Sequence, residues 1–173
     1  RNRWEKSGPR PWIGFSGRGG TEVTRPRLRT MDITDFAHLA HGTVGTWISL
    51  QYGPVQDTLD NAKKMAFHPV HWPEAITDLD EFAALISALD LVVTVCNTTV
   101  HYAGALGCPT IVLAPKLPEW RYQIHAQFMP WYPDVEVLRQ PKDGDWASVV
   151  MHAAPRIIER TQNCHRLSPQ DSR

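Results

Sequence analysis

Asp90-Leu91-Val92-Val93-Thr94-Val95 runs into Cys96-Asn97-Thr98-Thr99-Val100-His101-Tyr102-Ala103-Gly104-Ala105-Leu106-Gly107, and then into Cys108-Pro109-Thr110-Ile111-Val112-Leu113-Ala114-Pro115. The two aliphatic runs are short, rich in Val and Ile, and do not alternate with polar residues. Strands buried on both faces of a parallel sheet read this way. Between them the sequence predicts a short helix. Asn97, Thr98 and Thr99 are capping residues, Gly107 suits the left-handed position after its end, and Pro109 prevents extension. A strand that delivers its chain into a helix start places free N–H groups at the carboxyl edge of the sheet, where phosphates bind.

The same alternation extends outward in both directions. Trp12–Ser16, Thr46–Leu50, Pro69–Trp72 and Val135–Leu138 read as further strands. Ile33–Ala40 and Val55–Lys64 read as helices, with Pro54 suited to a first turn. Asp78 or Thr77 caps a clearer helix, in which Leu79, Phe82, Ala83, Leu85, Ile86 and Leu89 recur at helical spacing. Trp146–Glu159 is a closing helix that Pro155 is expected to kink. The expected fold is α/β, a Rossmann-like doubly wound parallel sheet of about six strands with right-handed crossovers. Residues 1–160 form the domain, and residues 161–173 are a polar, flexible tail.

Composition narrows the classes. The chain has 173 residues, with 18 basic and 18 acidic side chains. Zero net charge argues against bulk nucleic-acid binding. No apolar run approaches the ~20 residues of a membrane-spanning helix. Cys96, Cys108 and Cys164 are scattered, with no metal-ligand spacing, and point to a reduced, cytoplasmic setting. The eight histidines form no metal constellation with nearby carboxylates. The first residue is Arg1 rather than Met, so the expectation is a piece of a longer protein.

Four loops at the carboxyl edge are candidate sites. Asn97–Thr99 offers hydroxyl and amide groups beside free backbone N–H groups. Ser16-Gly17-Arg18-Gly19-Gly20, continuing to Arg25, Arg27 and Arg29, combines glycines with guanidinium forks that match phosphate. Gln51-Tyr52-Gly53 and Trp72-Pro73-Glu74-Ala75-Ile76 leave the second and third strands. Tyr52 or Ile76 can pack on a base there, and Glu74 can accept from ribose hydroxyls. His101, in the helix start, can meet a phosphate or a sugar. Each loop also has a plain structural use, as cap, solvated loop or connection. The aromatic loop Trp120–Trp131 suits either a sugar platform or packing against a neighbouring domain.

Taken in order, these segments resemble a known family. Asp90–Val95 with His101–Pro109, Ile48–Gly53, His71–Ala75, Pro118–Tyr122, Met129–Pro133 and Gly144–Trp146 are similar to the carboxyl-terminal domain of family 9, heptosyltransferase-like glycosyltransferases. They are most similar to the form that ends bacterial tetratricopeptide-repeat proteins. The resemblance implies the carboxyl-terminal lobe of a GT-B architecture, holding a nucleotide-diphosphate sugar. The acceptor site and base then belong to a missing amino-terminal lobe, and this lobe alone transfers no sugar. It also implies an inverting reaction with no bound metal or cofactor, because helix dipole and basic side chains stabilise the leaving diphosphate.

Residue by residue, the resemblance assigns Arg29, with Arg18 and Arg25 nearby, to phosphate. His101 and Arg29 take the catalytic positions. Ser16, Gln51, Tyr52, Pro73, Glu74, Ile76, Cys96, Asn97, Thr98 and Thr99 complete the nucleotide-sugar site. Cys96, Asn97 and Thr98 stand where the family typically carries Asp, Thr, then Gly or Ser. The missing carboxylate favours an alternative, a degenerate transferase domain acting as a nucleotide-binding or protein-interaction module. A sugar-nucleotide epimerase of the same architecture is a further alternative.

Overall fold

The computed structural model describes residues 7–19 and 26–167. Their strands form one sheet in the order β3-β2-β1-β4-β5-β7-β6. The strands are β1 (Trp12–Ser16), β2 (Thr46–Ser49), β3 (Val70–His71), β4 (Leu91–Val95), β5 (Thr110–Ala114), β6 (Phe128–Met129) and β7 (Tyr132–Arg139). All neighbouring pairs are parallel except β6 with β7. Every residue of β1, β4 and β5 is buried, which is why these strands read as unbroken apolar runs.

The helices are α1 (Pro26–Arg29), α2 (Ile33–Ala40), α3 (Gln56–Lys64), α4 (Pro73–Thr77), α5 (Leu79–Ala88), α6 (Thr98–Ala105) and α7 (Trp146–Leu167). They cover both faces. Ile13, Phe15, Leu91, Val93 and Val95 pack with Phe36 and Leu39 of α2, Ala62 of α3, and Val149, Ala153 and Ile157 of α7. On the other face Trp12, Ile48 and Val92 pack with Ile76, Phe82, Leu85 and Ala103. Val112, Ala114, Val135 and Val137 carry a third cluster with Val100, Tyr122 and Met129. Asp78 caps α5 by accepting from the N–H groups of Asp80 and Glu81, both at 2.9 Å. Gly104 lets β7 approach α6, since a Cβ there would land in the Tyr132 ring.

The departures from sequence reading have local causes. The loop Gly17–Thr30 contains α1, and the loop after β3 is the short helix α4, opened by Pro73 at its first position. Strand β7 begins at Tyr132 rather than Val135, because Met129 of β6 pairs with Tyr132 across a hairpin. Helix α7 contains Pro155 and continues past the expected domain end at residue 160, to Leu167. The N–H that proline lacks would bond the carbonyl of Met151, a residue that is itself 69% exposed. Thr161, placed at the start of a flexible tail by its polar neighbours, is buried and donates its hydroxyl to the Ile157 carbonyl at 2.9 Å. Arg156 and Arg160 both reach Glu136 of β7 at 2.7 Å and tie the helix to the sheet. Residues 168–173 lie outside the described residues. No described helix is long and apolar enough to cross a membrane.

The core on the α2–α3 face centres on Phe15, whose ring meets Phe36, Phe67 and Trp47 at centroid distances of 5.0, 5.6 and 5.9 Å. Phe15→Ala is expected to lower the unfolding free energy by about 3–5 kcal/mol, measured by denaturant titration. A loss under about 1 kcal/mol would show that this aromatic cluster does not hold the sheet.

Candidate functional site

The winding of the sheet reverses between β1 and β4, which lie side by side with Ser16 level with Thr94. Ligands of open α/β sheets collect at this place, beyond the carboxyl ends of the strands. Here it is braced by side chains. Asn97 caps α6, its Oδ1 accepting from the Thr99 N–H at 3.0 Å and from the Thr94 hydroxyl at 3.1 Å. Its Nδ2 donates to Ser16 Oγ at 2.9 Å and to the Arg18 carbonyl at 3.0 Å. Gln51, at the end of β2, accepts on Oε1 from the N–H groups of Gly17 and Arg18 at 3.1 and 2.8 Å, and from the Ser16 hydroxyl at 3.3 Å. The β1 loop and the start of α6 therefore share one edge and touch, as sequence order predicts.

Several predicted site residues do work other than that assigned to them. Gln51 is 9% exposed, and its amide braces the β1 loop. Ile76 lies in the core with Phe82 and Leu85, because α4 turns it inward, so it does not present a surface to a base. Cys96 has no exposed surface, and its thiol packs with Val100, Ala114 and Tyr122. Burial first, and the charge of Glu119 second, push that thiol up to about 12. Arg18 is exposed but turns toward α3, donating to the Pro54 carbonyl at 2.8 Å and Thr58 Oγ1 at 2.9 Å. Tyr52, Pro73, Glu74 and Thr98 are exposed at the carboxyl ends of their strands, while Thr99 is buried. Arg25 and the side chain of Arg27 lie outside the described residues.

Arg29 is carried inward by α1. It donates to the Cys96 carbonyl at 2.7 Å and pairs with Glu119 at 2.5 Å. Gly19 makes that approach possible, since a Cβ there would stand 2.6 Å from the Arg29 carbonyl oxygen and 2.9 Å from that of Cys96. His101 is half-buried in the first turn of α6, with its ring 5.9 Å from Tyr132 and 6.4 Å from Tyr122. Burial lowers its pKa, Arg121 lowers it further, and Glu119 opposes both, so the surroundings favour the neutral ring.

Glu119 is the member of this cluster that sequence reading missed. Its partner lies 90 positions away, so no spacing signals the pair. Its place is set by Arg139, which donates to the carbonyls of Tyr122, Gln123 and Ala126 at 2.7, 3.0 and 2.6 Å and pins the 3₁₀ turn Trp120–Tyr122. Trp120 and Trp131 meet edge-on at 6.1 Å on the outside of this loop, and both are exposed. A separate cavity of about 770 Å³ opens between α2 and α3, lined by Phe15, Phe36, Arg18, Gln51, Thr58 and Lys64. Among the described residues no group of three or more His, Cys, Asp or Glu side chains is placed to hold a metal ion.

Two predictions follow from these environments. Only the thiolate is nucleophilic, so Cys96 is expected to resist iodoacetamide at about pH 8 until the chain unfolds, as read by mass spectrometry of native and denatured samples. The His101 pKa is lowered from its usual 6.5, so the unfolded chain takes up this proton first. Its contribution to stability is then complete above pH 6.5 and lost as pH falls toward the folded pKa. His101→Asn is expected to flatten that part of the stability–pH curve; an unchanged slope would show that the ring titrates as if in water.

No family model matches the chain. It is 31% identical over 157 residues to Protein FlbA of Caulobacter vibrioides, covering 88% of this chain and 26% of FlbA. The chain thus spans about a quarter of that relative. Among solved structures it is similar to the ADP-heptose LPS heptosyltransferase II of E. coli, with a TM-score of 0.65 and 20% identity over 94% of this chain and 48% of that one. The E. coli heptosyltransferase WaaC with ADP-2-deoxy-2-fluoro heptose gives a TM-score of 0.58 at 15% identity, over 91% and 46% of the two chains. A family 9 glycosyl transferase from Veillonella parvula gives 0.56 at 15% identity, over 88% and 45%. Each solved structure is matched over a little under half its length, and the fold of this chain is that of one lobe of a GT-B glycosyltransferase.

Proposed function

We propose that this chain is the donor lobe of an inverting, metal-independent glycosyltransferase that takes a nucleotide-diphosphate sugar. One observation carries the reading. At the reversal between β1 and β4, the start of α6 and the close-packed Gly19 loop share one carboxyl edge, with Thr98 exposed in the first turn. A helix start there favours an anion, and the diphosphate leaving group is the anion that sugar transfer produces. Arg29 stands at the same place. The family resemblance and the similarity to the heptosyltransferase fold support the same choice. The acceptor and general base are assigned to a second lobe of the same polypeptide, which also carries tetratricopeptide repeats. The setting is the cytoplasm.

Orientation of donor against acceptor contributes on the order of 7–11 kcal/mol in well-positioned reactions, so one lobe alone transfers no sugar. The Arg29–Glu119 pair and the burial of Cys96 favour a second reading, a nucleotide-binding module that has lost transfer. A protein that binds donor but transfers nothing even with its second lobe present would select that reading.

Titration calorimetry with ADP, UDP and GDP, their nucleosides and their sugars tests the proposal. Nucleoside diphosphates are expected to bind more tightly than the matching nucleosides. Arg29→Ala is expected to weaken diphosphate binding by about 1.5–3 kcal/mol, the worth of a charge-assisted contact. Equal affinity for nucleoside and diphosphate would sink the site.

A further inference from the structure

Resting on the donor-site reading above, we propose that Glu119 is an internal competitor for Arg29: its carboxylate occupies the guanidinium that a nucleoside diphosphate recruits, and so sets the affinity of the site. Both terminal nitrogens of Arg29 are already engaged, one by Glu119 and the other by the Cys96 carbonyl at the start of α6. Arg29 Nε is buried without a hydrogen-bond partner, and so is Glu119 Oε2. The pair is therefore joined through one carboxylate oxygen and is not the two-bonded fork that makes guanidinium pairing strong. A phosphate offers more acceptor oxygens to the same guanidinium, including one for Nε. The carboxylate is a weaker occupant of a place that suits a stronger one.

Release of Glu119 has a route. It is the residue before the turn that Arg139 pins, so a side-chain rotation frees it while Trp120–Tyr122 stays in place. Arg121, two positions on, also has a buried Nε without a partner and offers the freed carboxylate a second cation. A ligand shifts such an equilibrium only by binding one state better than the other. A nucleoside has no anion to exchange and is indifferent to the pair, whereas a diphosphate pays to displace it.

The test is calorimetry of the chain with ADP, UDP and GDP and with the corresponding nucleosides. Glu119→Gln keeps the size of the side chain and one acceptor oxygen but removes its charge. It is expected to tighten nucleoside diphosphate binding about tenfold and leave nucleoside binding unchanged. The gain is expected to vanish in the double variant R29Q/E119Q, whose uncharged pair still hydrogen-bonds. Glu119→Asp, which keeps the charge on a shorter arm, is expected to fall between wild type and Glu119→Gln, and it serves if Glu119→Gln melts early in a thermal scan. Diphosphate affinity unchanged or weakened in folded Glu119→Gln, or a gain that persists in R29Q/E119Q, overturns the inference while wild-type binding leaves the donor site standing. If neither wild type nor any variant binds a nucleoside diphosphate, the donor-site reading itself falls, and this inference with it.

Discussion

The Asn97 side chain uses all four of its hydrogen-bonding positions, two as donor and two as acceptor. Those four bonds join the last turn of β4, the first turn of α6, the end of β1 and the loop beyond it. Gln51 extends the brace to β2. The winding of the sheet reverses at this point, so no crossover connection closes the gap between β1 and β4. A side-chain amide closes it instead. An aspartate at position 97 would turn two donors into acceptors and set them against Ser16 Oγ and the Arg18 carbonyl. The polar network is thus complete, which is the condition under which buried polar groups specify a geometry rather than weaken it.

Beside this neutral brace lies a charged one. Arg29, Glu119 and Arg121 gather at the start of α6 with His101 of its first turn and the buried Cys96 thiol. An ion pair with 14% and 26% side-chain exposure costs desolvation that its attraction only partly returns, and removal of one partner strands the other. The arrangement therefore holds a cation ready at a helix start and keeps it compensated. That is a reasonable state for a site that waits for an anion, and it also suits a lobe that has exchanged transfer for binding. A carboxylate introduced at Cys96 would have no exposed surface and would stand near Glu119, so this position is closed to an acid unless the cluster rearranges.

The strands were legible because burial on both faces leaves an unbroken aliphatic signature. Trp12–Ser16 and Thr110–Ala114 match their observed bounds. The helices with a clear apolar stripe and an acidic cap, such as Leu79–Ala88 behind Asp78, were legible for the same kind of reason. Short elements were not. Pro26–Arg29 and Pro73–Thr77 are too brief to show a period, and their helical state follows from where the flanking chain is held. In the last helix, Pro155 and the polar run after Glu159 read as kink and tail. Burial of Thr161 and the reach of two arginines to Glu136 carried the helix through both.

The site divides along the same line. Residue order by itself determined the parallel sheet, the edge at which its loops gather, and a capped helix start within Asn97–Thr99, because alternation and capping are local and periodic. It did not determine where long side chains end. Gln51, Arg18 and Ile76 carry the right chemistry in the right loops, yet the first braces backbone, the second turns to α3, and the third enters the core. Arg29 meets Glu119 across 90 positions of chain, and only the pinning of the loop after β5 by Arg139 brings them together. Those outcomes depend on distances between elements that no local pattern encodes, and so the tertiary structure alone decided which charges at the candidate site face one another.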